Sequence, residues 1–162
     1  MNAKELLDIA EKAGIENLKA RLETTSTLAK EASGTLTLLL AAMAGTLAFA
    51  AKSFDSGSAG PIAWGAAVTC GWLTLLSAVL VGRCLMIGEN QSLYNDPGNL
   101  YQPSLNLTAF QVREFELENL KERIKKTVQR NNRTSKWLNL VRGGAIATPI
   151  WFSAAAWLAA YR

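Results

Sequence analysis

The chain has 162 residues, with 17 Lys and Arg against 13 Asp and Glu, a formal net charge of +4, and no His. With Cys70 and Cys84 as its two thiols, this composition excludes imidazole acid–base chemistry, most metal sites and a disulfide framework. The apolar share of 49% is unevenly spread, and three runs carry no charge at all: Gly34 to Ala51, Pro61 to Gly82 and Gly143 to Ala160, of 18, 22 and 18 residues.

At about 1.5 Å per residue, each run is long enough to cross a hydrocarbon layer of about 30 Å. A water-soluble bundle would have to cover three such helices with a polar layer that the remaining residues cannot supply. The expectation is an all-α fold, a polytopic helical membrane protein with three transmembrane helices and two cytoplasmic amphipathic helical extensions. Its segments are residues 1–33, a cytoplasmic amphipathic helix; 34–88, a transmembrane hairpin with spans at about 34–51 and 61–82; 89–136, a cytoplasmic turn-rich loop and basic amphipathic helix; and 137–162, the third span.

Before the first run, five bases and six acids alternate over Met1 to Ala32, and about 33 mostly polar residues are too many for a secretory leader. Ile15, Leu18, Leu22, Thr25, Ala29 and Ala32 follow a three-four spacing that continues through Leu36, Leu39 and Met43, so one long helix enters the membrane from water, with Gly14 as its weakest point. Lys52 to Gly60 is a short flexible turn closed by Pro61, which makes the first two spans an antiparallel hairpin.

Glu89 to Leu107 holds Asn95, Asp96, Pro97, Gly98, Tyr101 and Pro103, a composition for turns. Thr108 to Gln111 matches a capping box and opens a new helix. Its stripe is Phe110, Leu117, Leu120, Ile124, Val128 and Asn131, meeting Leu138 at the third run. Asn131 either sets the register of a helix contact or marks the stripe's end.

From Lys121 to Lys136 seven bases meet only Glu122, whereas the hairpin turn has Lys52 and Asp55 alone. Positive charge favours the inner side, so the N-terminus and residues 89–136 face the cytoplasm and the C-terminus lies outside. The same charge attracts anionic lipid, which explains this run without nucleic acid. Lys125, Lys126, Arg130 and Arg133, with Arg83, Trp137 and Arg142 at the ends of the runs, are expected to anchor lipid headgroups. One of Arg83 and Arg142 could instead line a pore or pair with a lipid phosphate.

No catalytic constellation is present, no span holds the charged residue that ion-coupled transport uses, and no cofactor is expected. Cys70 and Cys84 lie 14 residues apart on one expected helix, too far to bond. The small pairs Ala41 and Gly45, Ala44 and Ala48, Gly65 and Thr69, and Gly143 and Ala147 let helices approach closely in a bilayer. The apolar rows Ile15, Leu18, Leu22 and Leu117, Ile124, Val128 can pack on each other or on neighbouring copies, and these cytoplasmic helices, more than the spans, are expected to hold the copies of a homo-oligomer or a protein partner together.

The order of polar helix, membrane hairpin and cytoplasmic helix, ending in RNNRTSKWLNL at Arg130 to Leu140, resembles the small SLATT-type proteins of bacterial defence systems. That resemblance covers about residues 10–140 and implies a membrane-disrupting effector of the bacterial inner membrane. The third run is additional to the two-span pattern. Two expectations follow: a non-enzymatic homo-oligomer that forms or gates a pore, or a membrane-anchored accessory, scaffold or immunity subunit.

Overall fold

The computed structural model describes residues 2–57, 60–86, 92–96, 98 and 107–161. Among them there is no strand. Four α-helices run in chain order: α1 (Ala3–Asp55), α2 (Pro61–Leu80), α3 (Ala109–Ile146) and α4 (Thr148–Ala160), with a π-helical turn at Val81–Leu85 after α2. Pro97, Tyr101 and Pro103 of the expected turn-rich stretch lie outside the described residues. The α1 helix and the 25 residues Pro61–Leu85 are each long and apolar enough to cross a membrane, and α3 with α4 makes a third candidate if that bent pair is one span.

The chain forms two compact units, Met1–Leu28 with Ile87–Arg133 and Ala29–Met86 with Thr134–Arg162, so that α1 and α3 each contribute to both.

In the first unit α3 opens with a reciprocal cap. The Thr108 amide donates to Oε1 of Gln111 at 2.9 Å, and the Gln111 amide donates to Oγ1 of Thr108 at 3.3 Å. The helices then run parallel: Asp8 and Glu11 meet Arg113, Gly14 faces Leu120, and Thr25 meets Asn131, partners whose numbers rise together. Leu7, Leu18 and Leu120 are buried along this pair. Each large aliphatic side chain so buried is worth about 1.5 to 3 kcal/mol, which is what holds two otherwise charged helices together.

The spacing differs from the expected stripe at two positions. Leu28 is half-buried while Ala29 is exposed, and Phe110 is 42% exposed while Thr127 is buried.

In the second unit, α1 ends where the Ser56 amide donates to the Lys52 carbonyl and Gly57 takes a φ of 70°, a left-handed position that glycine adopts without a Cβ clash. Pro61 opens α2 at a first-turn position, where its missing amide costs nothing. Phe54 packs edge-on against Trp64 with ring centres 5.5 Å apart, while Met43 Sδ lies 3.1 Å from Oγ1 of Thr74. These contacts run α2 back along α1.

The third uncharged run is a broken helix rather than a straight one: α3 and α4 meet at 44° across Ala147. Pro149 explains the break. It has no amide for the carbonyl four residues back, and its ring would strike that carbonyl in a continuous helix. Proline therefore starts α4, as Pro61 starts α2.

Candidate functional site

The two apolar rows come together inside one chain. Leu18 is completely buried, Ile15, Leu22, Leu117, Ile124 and Val128 are half-buried, and Leu120 fills the space opposite Gly14. A Cβ on Gly14 would lie 2.6 Å from a Leu120 methyl, so the missing side chain at this position of α1 gives the Leu120 side chain its place. As a free docking row for another copy, Leu18 is already spent, because it is wholly buried within the chain.

A polar layer interrupts the apolar pair. Asn131, buried, donates from Nδ2 to the Arg21 carbonyl at 2.9 Å, and its Oδ1 accepts from the Thr25 hydroxyl at 2.8 Å. That hydroxyl has one proton and could also reach the Arg21 carbonyl at 3.0 Å, but Asn131 already donates to that oxygen. The shorter bond to Oδ1 then satisfies both side chains. Of the two readings of Asn131, the geometry is that of a register-setting contact.

Toward the start of α3, Arg113 is held by Glu11 through two hydrogen bonds and by Asp8 through a third. The hydrogen bonds it donates to Glu11 first, then to Asp8, push its guanidinium further toward the charged form. Arg123 pairs with Glu116 and also donates to the carbonyl of Ser92 at 3.2 Å, while the Asn95 amide donates to Glu116 at 3.0 Å. These bonds strap residues 92–95 onto α3 beside a partly open cavity of about 250 Å³. Its lining includes the apolar Ile15, Val112, Leu117 and Leu120 and the paired Arg113 and Arg123.

The expected headgroup residues divide by what they touch. Lys125 and Arg133 are exposed, and Arg130 is half-buried. Lys126 pairs with Glu122 at 2.9 Å, and that hydrogen bond, with the lysine's charge, draws the Glu122 carboxyl below its usual range. Arg142 pairs with Glu31 at 3.0 Å in the second unit. Arg83, also in that unit, stands over the Trp137 ring with its guanidinium carbon 5.2 Å from the ring centre. The bond from the Met86 amide to the Val81 carbonyl, 2.9 Å, closes the π turn that carries Arg83.

The helix break exposes a carbonyl that sequence reasoning did not find. The indole N–H of Trp72 donates to the Gly144 carbonyl at 3.2 Å, and the Thr148 hydroxyl reaches the same oxygen at 3.5 Å. Terminal helix carbonyls need such donors, and in an apolar surrounding no water supplies them. Trp72 also packs against Trp151 at 5.1 Å. The available signal was a tryptophan in the middle of an uncharged run, together with Pro149 inside another.

Of the glycines in the small pairs Gly65 is the tight place, and Gly144, which belongs to none of those pairs, is a second. A Cβ on Gly65 would lie 3.2 Å from Ala156 and Phe152, and one on Gly144 would lie 2.8 Å from Leu76. Around Gly45 and Gly143 there is open space. Thr69, one turn after Gly65, keeps a buried hydroxyl with no hydrogen-bond partner. Trp64, Val68, Trp151 and Leu158, with Ala154, Ala155 and Ala159, line a half-open apolar groove of about 550 Å³. Among the described residues no cluster of His, Cys, Asp or Glu has the arrangement to hold a metal ion.

Comparison with protein-family models, with curated proteins and with solved structures finds no match to this chain.

Proposed function

We propose that this chain is a non-enzymatic, homo-oligomeric integral membrane protein of the bacterial inner membrane, whose spans associate around a pore. One observation carries the reading. The most apolar 18-residue stretch of α1 is only 11% buried within its own chain. Its outward positions include Gly34, Thr37, Ala41, Ala44, Gly45 and Ala48, a small-residue face suited to close approach by another helix. Because the rows Ile15, Leu18, Leu22 and Leu117, Ile124, Val128 are packed within the chain, association is assigned to the spans. The pair α1 and α3 then serves as the cytoplasmic support, with Lys125, Lys126, Arg130 and Arg133 near anionic headgroups.

The test is the mass of the full chain in a mild detergent, read together with membrane potential in expressing cells. A particle of several 17.5 kDa chains and a loss of potential are expected. A monomer that leaves the potential intact overturns the reading. Orientation is tested on exposed positions. Ser56→Cys should react with an impermeant maleimide on intact cells, and Gln129→Cys only after permeabilisation.

The strapped cavity between α1 and α3 favours a second reading, a membrane-anchored accessory, scaffold or immunity subunit that recruits another protein. Harmless expression and co-purification of one defined partner would support it over the pore.

A further inference from the structure

Arg83 and Arg142 look alike in sequence, since each stands beside an uncharged run. Their surroundings in the second unit differ. Arg142 is balanced by Glu31 at 3.0 Å. Arg83 is exposed, no described carboxylate lies within ion-pairing distance of it, and the Trp137 indole lies 5.2 Å from its guanidinium carbon. A guanidinium on an aromatic face keeps its charge while that face excludes water, and its N–H edge stays free for paired hydrogen bonds. The oxyanion that fits such an edge has two oxygens side by side, as a phosphodiester does.

We propose that the Arg83–Trp137 pair binds the phosphate of an anionic phospholipid, and that Arg142 does not. This rests on the membrane reading above, under which Arg83 stands where the second uncharged run meets the inner surface. The stacked geometry singles out Arg83 rather than the nearby basic run. Lys126 has its carboxylate on the same helix face, and the flexible ammonium of Lys125 offers a point charge without a paired edge. A headgroup with net negative charge is preferred over a zwitterionic one, whose own ammonium competes for the phosphate.

The same chemistry would accept free phosphate, and the experiment separates the two sources. The full chain, delipidated in detergent, is given phosphatidylglycerol or phosphatidylcholine, and retained lipid is measured by native mass spectrometry. Arg83→Gln should lower phosphatidylglycerol retention about tenfold or more, the loss of a charge-assisted hydrogen-bonded contact. Arg83→Lys and Trp137→Leu should fall between Arg83→Gln and the parent, while Arg142→Gln should retain the parental amount. Helicity by circular dichroism confirms that each variant is folded.

Equal loss in Arg142→Gln and Arg83→Gln overturns the proposal, as does undiminished retention in Arg83→Gln. Displacement of the lipid by millimolar inorganic phosphate would assign the site to the free ion and overturn the lipid source. If the parent protein is extracted from membranes by alkaline carbonate, the membrane reading itself has failed. A carbonate-resistant Arg83→Gln protein with unchanged lipid overturns this inference alone.

Discussion

The hydroxyl of Thr25 donates to the side-chain oxygen of Asn131 across 2.8 Å, inside an otherwise apolar contact between two parallel helices. Sliding either helix by one turn would leave the buried Asn131 side chain without its partners, whereas the Thr25 hydroxyl keeps the Arg21 carbonyl within reach, so Asn131 is the group that penalises other registers.

Thr25→Val should therefore cost about 1 to 3 kcal/mol, because it strands the Asn131 oxygen in the contact. Asn131→Ala should cost less on the hydrogen-bond side, since the Thr25 hydroxyl can turn to the Arg21 carbonyl 3.0 Å away. Thr25→Val with Asn131→Leu should be closer to the parent than the two single losses added together. Thermal unfolding followed by circular dichroism on the full chain measures all three, and strict additivity would count against the layer.

Leu18 is wholly inside the chain, so a change there acts on folding before it acts on assembly. Leu18→Ala should destabilise the first unit by about 2 to 5 kcal/mol, the usual range for such a cavity. Hydrogen exchange across residues 8–25 and 113–131 should rise at unchanged particle mass. A particle that dissociates while exchange stays at the parental level would return Leu18 to a contact between copies.

Trp72→Phe keeps the ring stacking on Trp151 but removes the donor to the Gly144 carbonyl. The remaining donor, the Thr148 hydroxyl at 3.5 Å, is too long to compensate. A loss of about 1 to 3 kcal/mol is expected. Trp64→Phe, which has an edge-on ring neighbour but no such carbonyl, serves as the control in the same melting experiment.

The Glu122 carboxyl is lowered by the hydrogen bond and charge of Lys126, with a smaller pull from Lys125. A depressed carboxyl adds stability that is fully present above the ordinary carboxylate range and is lost as pH falls through the lowered value. Carbon-detected NMR of labelled glutamate should find Glu122 titrating below the ordinary carboxylate range, and Lys126→Met should bring it back up. An unchanged midpoint in Lys126→Met would remove the pair as the cause.

Local rules determined much of this protein. Runs without charge marked two segments long enough to span a membrane and a third that the fold breaks at Ala147, the Thr108 and Gln111 spacing fixed where α3 begins, and three-four spacing marked most of the apolar faces of α1 and α3. Each of these depends on residues a few positions apart, and a sequence displays such neighbours directly. Pro149 was equally visible, but averaging hydropathy over a run hides one missing amide. Tertiary structure decided what the apolar faces meet. Leu18 packs within the chain, Asn131 pairs with Thr25 about a hundred positions away, and of two similar arginines Arg142 receives a carboxylate while Arg83 receives an indole. An amphipathic stripe states that burial is favourable without naming the surface that provides it, because the hydrophobic effect has no direction, and only packing distinguishes one apolar partner from another.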